Sequence, residues 1–307
     1  MDKSIFLTGV GRSGTTLLQS MLHAHPEICF TPETHFVKNY LVPSLTGKIK
    51  FNNENLAQKL EQDKDIARLD LDWKPLLDQT TITCSGCVIN FFHTLFSAYI
   101  ARYGKPHFGD KDPMNAPFIP HIKKAFPDAY LIHIIRDPRD VILSRMKSDW
   151  GKHTPFFKHV SEYQSHIKKA LHDGKTCFGE RYIEVFYEHL LEDPEGELQR
   201  ICTALGVNYT PEMMNYHQKS DELVFGDEKA WKENVFKPVM KGNTQKWKAE
   251  LSPTQVAKIE GGIEQLMIDL GYELSTKGMW FQKQILSLPI RLASIAYRYK
   301  HDKDALK

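Results

Sequence analysis

The sequence predicts an α/β fold of three layers, a central and mostly parallel sheet flanked by helices, and three observations carry that expectation. Ser4 to Thr8 is a short apolar run of strand formers that passes through a glycine-rich turn into Leu17, Leu18, Met21 and Leu22 at helical spacing. Ala129-Tyr-Leu-Ile-His-Ile-Ile135 is almost continuous in strand formers, as expected of a strand buried on both faces of a parallel sheet. Tyr182 to Tyr187 reads as a further strand, and helical patterns follow each of these runs.

The chain has 307 residues, 41% apolar and 25% charged, enough for one large core. We expect one domain over residues 1–275 and a basic amphipathic tail over 276–307. With 40 Lys and Arg against 38 Asp and Glu, the net charge of +2 offers nucleic acid no global field, so any anion site is local. The N-terminus runs straight into a strand without a signal-peptide pattern, and no apolar run reaches the roughly 18 residues of a membrane span. The expectation is a soluble, cytoplasmic enzyme. The five cysteines (Cys29, Cys84, Cys87, Cys177, Cys202) read as scattered thiols of a reducing compartment. Cys84-Ser-Gly-Cys87 stands apart by its spacing, but it lacks a second ligand pair for zinc and the usual surroundings of a thioredoxin-type pair.

The turn after the first strand is built for an anion. Backbone N–H groups and the positive end of the helix dipole point into it, and Gly9, Gly11 and Gly14 let the backbone close around phosphate oxygens. Against the triphosphate loop G-x-x-x-x-G-K-[ST], Gly9, Gly14 and Thr15-Thr16 fit, but Thr15 takes the place of the lysine and the loop's cation is Arg12. Hydroxyls in that position suit a terminal 5′-phosphate better than a magnesium triphosphate.

Gly11-Arg-Ser-Gly-Thr-Thr-Leu-Leu18, followed by His25-Pro26, resembles the 5′-phosphosulfate loop of sulfotransferases that use 3′-phosphoadenosine 5′-phosphosulfate. The motifs are closest to the tyrosylprotein and carbohydrate types. The resemblance implies a P-loop-like fold and transfer of the sulfuryl group to an acceptor hydroxyl on a carbohydrate, a tyrosyl residue or a small molecule, leaving 3′-phosphoadenosine 5′-phosphate; such a transfer moves a less charged group than a magnesium-bound γ-phosphate, so no metal is required. It also implies that Arg12, Ser13, Gly14, Thr15 and Thr16 hold the 5′-phosphosulfate.

Ile28 to Phe36 reads as a second strand ending in a Pro-Glu turn, which a parallel sheet would bring to the same crevice. Glu33 there is either a solvated or capping carboxylate or, within hydrogen-bond reach of an acceptor, a general base. The family resemblance implies the base, with His35 as a nearby rival. Val37 to Tyr103 reads as helices; Phe91, Phe92, Leu95, Phe96 and Tyr99 form a core stripe, and the block is expected to wall much of the acceptor pocket.

In His107-Phe-Gly-Asp-Lys-Asp-Pro-Met114, chemistry alone makes Lys111 a surface ion pair. By resemblance, a lysine before Asp-Pro lies at the transferred sulfuryl group, and Lys111 and Arg12 stabilise its charge. The Lys-x-His base of cytosolic sulfotransferases is absent, since Pro113 fills the histidine slot. That strengthens Glu33 and leaves His107 to exclude.

Arg136-Asp-Pro-Arg-Asp140 opens a helix, with Asp137 as N-cap and Pro138 at the first position. Arg136 offers a planar fork and Ser144 a hydroxyl, and the run Ile134 to Ser144 matches the family's 3′-phosphate motif. Trp150 to Lys175, basic and aromatic, reads as a solvated helical face, or as a contact for an acidic acceptor. Tyr187, in Tyr-Glu-x-Leu, would meet the adenosine by resemblance. Lys241-Gly242 with Trp247-Lys248 resembles a closing segment of the 3′-phosphate site; Met240, Gln245 and Lys246 stand where the family usually has Arg, Gly and Asp, so only Lys241 and Gly242 carry over.

Glu195 to Leu205 and Pro253 to Leu270 read as packing helices. The tail from Lys277 holds seven Lys or Arg against two Asp among aromatic and aliphatic residues, the profile of a helix on an anionic membrane surface, on a partner chain such as a second copy in a homodimer, or on its own domain. Two other readings stay open at this level: a magnesium-dependent nucleotide or small-molecule kinase, and a nucleotide-binding module without catalysis.

Overall fold

The computed structural model describes residues 1–226, 232–276, 283, 285–293 and 295. Strands β1 (Lys3–Gly9), β2 (Ile28–Phe30), β3 (His107–Lys111), β4 (Tyr130–Ile135) and β5 (Tyr182–Phe186) form one sheet in the order β2-β3-β1-β4-β5. All four pairings are parallel, with Leu7 opposite Lys111 on one side and Ile132 on the other. β3 and β4 lie on opposite sides of β1, so the crevice at the carboxyl ends of β1, β3 and β4 is the natural ligand site.

Alternation along the strands explains the three layers. Phe6 and Leu131 turn to one face, into a core with Phe36, Phe92, Phe96 and Phe126. Ile5, Leu7, Ile132 and Ile134 turn to the other, against Leu18 and Leu22 of helix α1 (Thr15–Ala24). The aromatic stripe Phe91, Phe92, Leu95, Phe96 lies on helix α2 (Ser85–Arg102), buried in the first of these cores as its periodicity predicts.

Helix α3 (Pro138–Met146) begins as expected, with the Asp137 carboxylate accepting the Arg139 N–H at 2.8 Å. A long helix, α4 (Phe156–Phe178), follows, then α5 (Tyr187–Glu192) directly after β5 and α6 (Pro194–Leu205), closed by Gly206 in the left-handed region.

Three expectations need correction. The second strand stops at Phe30: Thr31 makes one more ladder bond, its N–H to the Gly109 carbonyl at 2.9 Å, and Pro32 has no N–H to continue. The helix expected over Pro253 to Leu270 is two, α7 (Pro253–Gly262) and α8 (Glu264–Asp269), with Ile263 at φ −134° between them. Gly261 and Gly262 sit at the break, where a Cβ would lie 2.8 Å from the Lys283 carbonyl and 2.7 Å from the Ile290 side chain, so close packing of the tail selects glycine there. The block from Val37 to Tyr103 builds the core beneath β1 and β3 and contributes no wall to the main cavity.

Much of the tail lies outside the described residues. Where it is described, residues 285–293 are helical, Ile290 is buried, and Arg291 donates to the Gly261 carbonyl at 2.9 Å. Among the described residues no helix is long and apolar enough to cross a membrane.

Candidate active site

A cavity of about 650 Å³ opens at the carboxyl ends of β1, β3 and β4. Its floor is the loop between β1 and α1. Gly9 and Gly14 are demanded by packing: a Cβ on Gly9 would lie 2.6 Å from the Ile134 carbonyl, and one on Gly14, at φ 93°, would lie 2.4 Å from the Tyr187 ring. Gly11 faces open space, so its role is to leave room rather than to permit a contact. Arg12 itself adopts φ 81°, a strained conformation for a side-chain-bearing residue.

Two cations close one end of the cavity. Arg136, at the end of β4, donates to the Arg12 carbonyl at 3.1 Å and to the Asn243 carbonyl at 3.2 Å, and its guanidinium lies 4.3 Å over the Tyr187 ring. Tyr163 of α4 donates to the Arg136 carbonyl at 2.7 Å and fixes the backbone from below. The Arg12 Nε donates to Ser144 Oγ at 3.0 Å. Arg12, Arg136 and Ser144, taken from two separate motifs, therefore share one wall. Burial, and after it the Arg136 charge, hold the Arg12 guanidinium below its ordinary pKa, the electrostatic condition of a site that takes an anion. The Arg12 side chain thus stands with the 3′-phosphate motif as well as in the 5′ loop, a double placement that sequence reading did not anticipate.

The opposite end holds a carboxylate between two lysines. Lys111, at the end of β3, is completely buried and ion-paired to Glu33, and its Nζ lies 3.4 Å from Thr16 Oγ1. It is no surface pair. Lys232 donates to the same Glu33 Oε1 at 2.9 Å. Burial pushes the Glu33 carboxyl upward, but the Lys111 and Lys232 charges overcome it and hold the group well below the usual carboxylate range. Lys111 is itself lowered by burial, with Lys232 adding to that and Glu33 opposing it.

The two rival bases lie in different places: His35 lines the cavity and His107 does not. His35 donates from Nδ1 to the buried Asp112 carboxylate at 2.8 Å, and that hydrogen bond, against the opposing effect of burial, lifts its pKa to about 9. That pairing favours the protonated ring. His107 pairs with Lys3 at the amino end of the sheet, the edge away from the cavity.

The remaining expected residues divide. Thr15, Thr16, Gly14 and Tyr187 line the cavity or its floor; the Tyr187 hydroxyl accepts from Asn243 Nδ2 at 3.1 Å. Lys241 and Gly242 are exposed and lie outside the lining. Gly242, at φ 87°, turns the chain so that its neighbour Asn243 makes the contacts, and Asp140 anchors the segment by accepting the N–H groups of Gln245 at 2.7 Å and Trp247 at 3.0 Å. Trp150, Glu162 and His166 also line the cavity, so the stretch expected to be a solvated face turns one side inward. Lys232 and Asn243 were missed because neither belongs to a motif; only the fold brings them to Glu33 and Arg136.

The nucleotide diphosphate-like donor implied by the motifs can be tested against these residues. Arg136 Nε is a buried donor without a protein partner on a residue of the cavity lining. Ser13 Oγ is likewise unpartnered, but Ser13 is buried outside that lining. With Arg12, Arg136, Thr15 and Thr16 on the lining, the residues fit an anionic ligand. Among the described residues no group of three or more His, Cys, Asp or Glu is placed to hold a metal.

Comparison with known proteins agrees with this geometry. The profile described as Sulfotransferase family matches residues 4–211. Protein-tyrosine sulfotransferase A of Caenorhabditis elegans is 26% identical over 277 residues, covering 88% of this chain and 67% of its own length. Nodulation protein NoeE of Sinorhizobium fredii is 27% identical over 304 residues, covering 88% of this chain and 66% of its own. The fold is shared with the sulfotransferase domain from the curacin biosynthetic pathway, at a TM-score of 0.65 and 20% identity over 89% of this chain and 99% of that one. The chain belongs to the sulfotransferase family, transferases that move a sulfuryl group to an acceptor.

Proposed function

We propose that the donor is 3′-phosphoadenosine 5′-phosphosulfate, that the acceptor is a hydroxyl of a tyrosyl residue or a sugar, and that Glu33 takes the acceptor's proton. The observation that carries this reading is the contact chain Glu33–Lys111–Thr16, which ties a carboxylate at the cavity wall to the phosphate loop. The donor supplies an activated sulfuryl group on a phosphate leaving group. Arg136, Ser144 and Arg12 would hold the 3′-phosphate, with Asn243 and Tyr187 beside it. Ser13, Thr15, Thr16 and the loop N–H groups would hold the 5′ end.

Lys111 is shared between Glu33 and the loop, and this sharing gives the site its chemistry. With both lysines on it, Glu33 is too weak a base to be useful. Anionic charge in the loop competes for Lys111, and as that lysine turns toward Thr16 the carboxylate regains basicity, so the base is armed when the leaving group's stabiliser is in place. Lys232 keeps Glu33 ionised throughout. Support for a tyrosyl acceptor comes from the relatives named for that substrate.

The reading is tested by incubating the chain with donor labelled at sulfur and panels of tyrosine peptides, oligosaccharides and phenols. Label should pass to one hydroxyl class and, with Glu33→Gln, stay on the donor although 3′-phosphoadenosine 5′-phosphate still binds. Failure of the label to move to any of them, with binding intact, would leave a nucleotide-binding module and overturn the proposal.

A further inference from the structure

The Cys84-Ser-Gly-Cys87 pair takes no part in the site above, since nothing between residues 37 and 111 lines the cavity. The structure nevertheless gives it a specific arrangement. Cys84 is the N-cap of α2, its Sγ accepting the Cys87 N–H at 3.4 Å, and the two sulfurs lie 2.9 Å apart. Thr83 Oγ1 stands 3.5 Å from Cys87 Sγ. Cys84 is exposed and Cys87 half-buried, so a small molecule can reach both.

Chemistry distinguishes this pair from the other three cysteines. The hydrogen bond from Cys84, and after it those from Thr83, bring the Cys87 thiol down to about 6. The first turn of α2 carries no acidic residue, so the positive end of the helix dipole is not offset there. Burial does the opposite to Cys29 and Cys202, pushing them up to about 12 and about 11, and raises Cys177 as well. With the sulfurs 2.9 Å apart, one can attack an external disulfide while the other is already in place to resolve the mixed disulfide.

We propose that Cys84 and Cys87 are a thiol–disulfide exchange site on the surface of α2, closing and reopening by reaction with a small-molecule disulfide such as oxidised glutathione. The Cys87 thiolate attacks one sulfur of that disulfide, forms a mixed disulfide and releases the first thiolate. The Cys84 sulfur then attacks Cys87, the protein disulfide forms, and the second thiolate leaves. The two protons lost by the cysteines end on the two released thiols. One disulfide is reduced as one is made.

The test equilibrates the full chain in buffers of increasing oxidised-to-reduced glutathione ratio, blocks remaining thiols with N-ethylmaleimide after denaturation, and maps the peptides by mass. We expect the peptide holding Cys84 and Cys87 to lose both maleimide additions and two hydrogens as the ratio rises, reversibly with dithiothreitol, while Cys29, Cys177 and Cys202 keep theirs. In Cys84→Ser, Cys87 should accumulate as the glutathione adduct. In Cys87→Ser, Cys84 should react at least about tenfold more slowly than Cys87 does in the native chain. The proposal is overturned if both thiols stay alkylatable at every ratio, if the disulfide joins other cysteines, or if Cys87 reacts no faster than Cys177.

Discussion

Arg136 donates to the main-chain carbonyl of Arg12 at 3.1 Å, so the side chain at the end of β4 is fastened to the backbone of the loop that follows β1. Adjacent parallel strands thereby place two phosphate-binding motifs, 124 residues apart in sequence, on one wall. A charge-assisted hydrogen bond contributes roughly 1.5–3 kcal/mol, so Arg136→Ala should weaken 3′-phosphoadenosine 5′-phosphate by about tenfold to a hundredfold. Adenosine 5′-phosphate, which lacks the 3′ group, should lose far less. Calorimetric titration of the two ligands checks this, and equal losses would remove Arg136 from the 3′-phosphate site.

Glu33→Gln keeps the shape of the side chain and removes its basicity. Turnover should fall by about 10²–10⁴, the usual contribution of a positioned base, with product-nucleotide affinity within about threefold of the native value. A variant that retains most of its turnover would assign the proton to another group.

With Glu33 as the proposed base, Lys232 would act on the reaction through it, and the effect has a definite sign. Both lysines hold the carboxylate pKa down, and activity requires the ionised form, so the rate is lost as pH falls through that pKa. Lys232→Met should move the acid limb of kcat/KM to higher pH, by about one unit or more. An acid limb that does not move would reduce Lys232 to a packing residue.

Asp110 lies beside Lys111 on β3, fully buried, with one carboxylate oxygen accepting from Asn115 Nδ2 at 2.9 Å. Burial, and after it the Asp112 charge, raise its pKa from 3.8 to about 8. Between those values the unfolded chain ionises this group and the folded chain does not. Stability therefore falls as pH rises across that window, at up to about 1.4 kcal/mol per pH unit, and levels off above it. Asp110→Asn should flatten the slope of Tm against pH from about 5 to 8, as differential scanning calorimetry would show; an unchanged slope would assign it to other groups.

The central sheet and the phosphate loop were legible because their physics is local. Apolar runs, Gly14 in a left-handed turn and Pro138 at a helix start each declare themselves within a few residues. The pairing of Glu33 with Lys111 was legible only as two motifs, since a side-chain contact between the loop after β2 and the end of β3 leaves no trace in spacing. Lys232 and Asn243 left none at all: each is an ordinary polar residue outside the motifs, brought to Glu33 and to Tyr187 by the fold, with Asp140 anchoring the chain just after Asn243. Gln245 is an instructive departure. It stands where the family usually has glycine, and its φ of 58° shows why glycine suits that place.

Ligand preference bears most directly on the claim that the cavity is built for two separated anions without a metal. The native chain should be titrated with 3′-phosphoadenosine 5′-phosphate, adenosine 5′-phosphate and adenosine triphosphate, each with and without magnesium. We expect the bisphosphate to bind at least about tenfold tighter than the other two and to be indifferent to the metal. Tighter binding of the triphosphate, dependent on magnesium, would contradict the account.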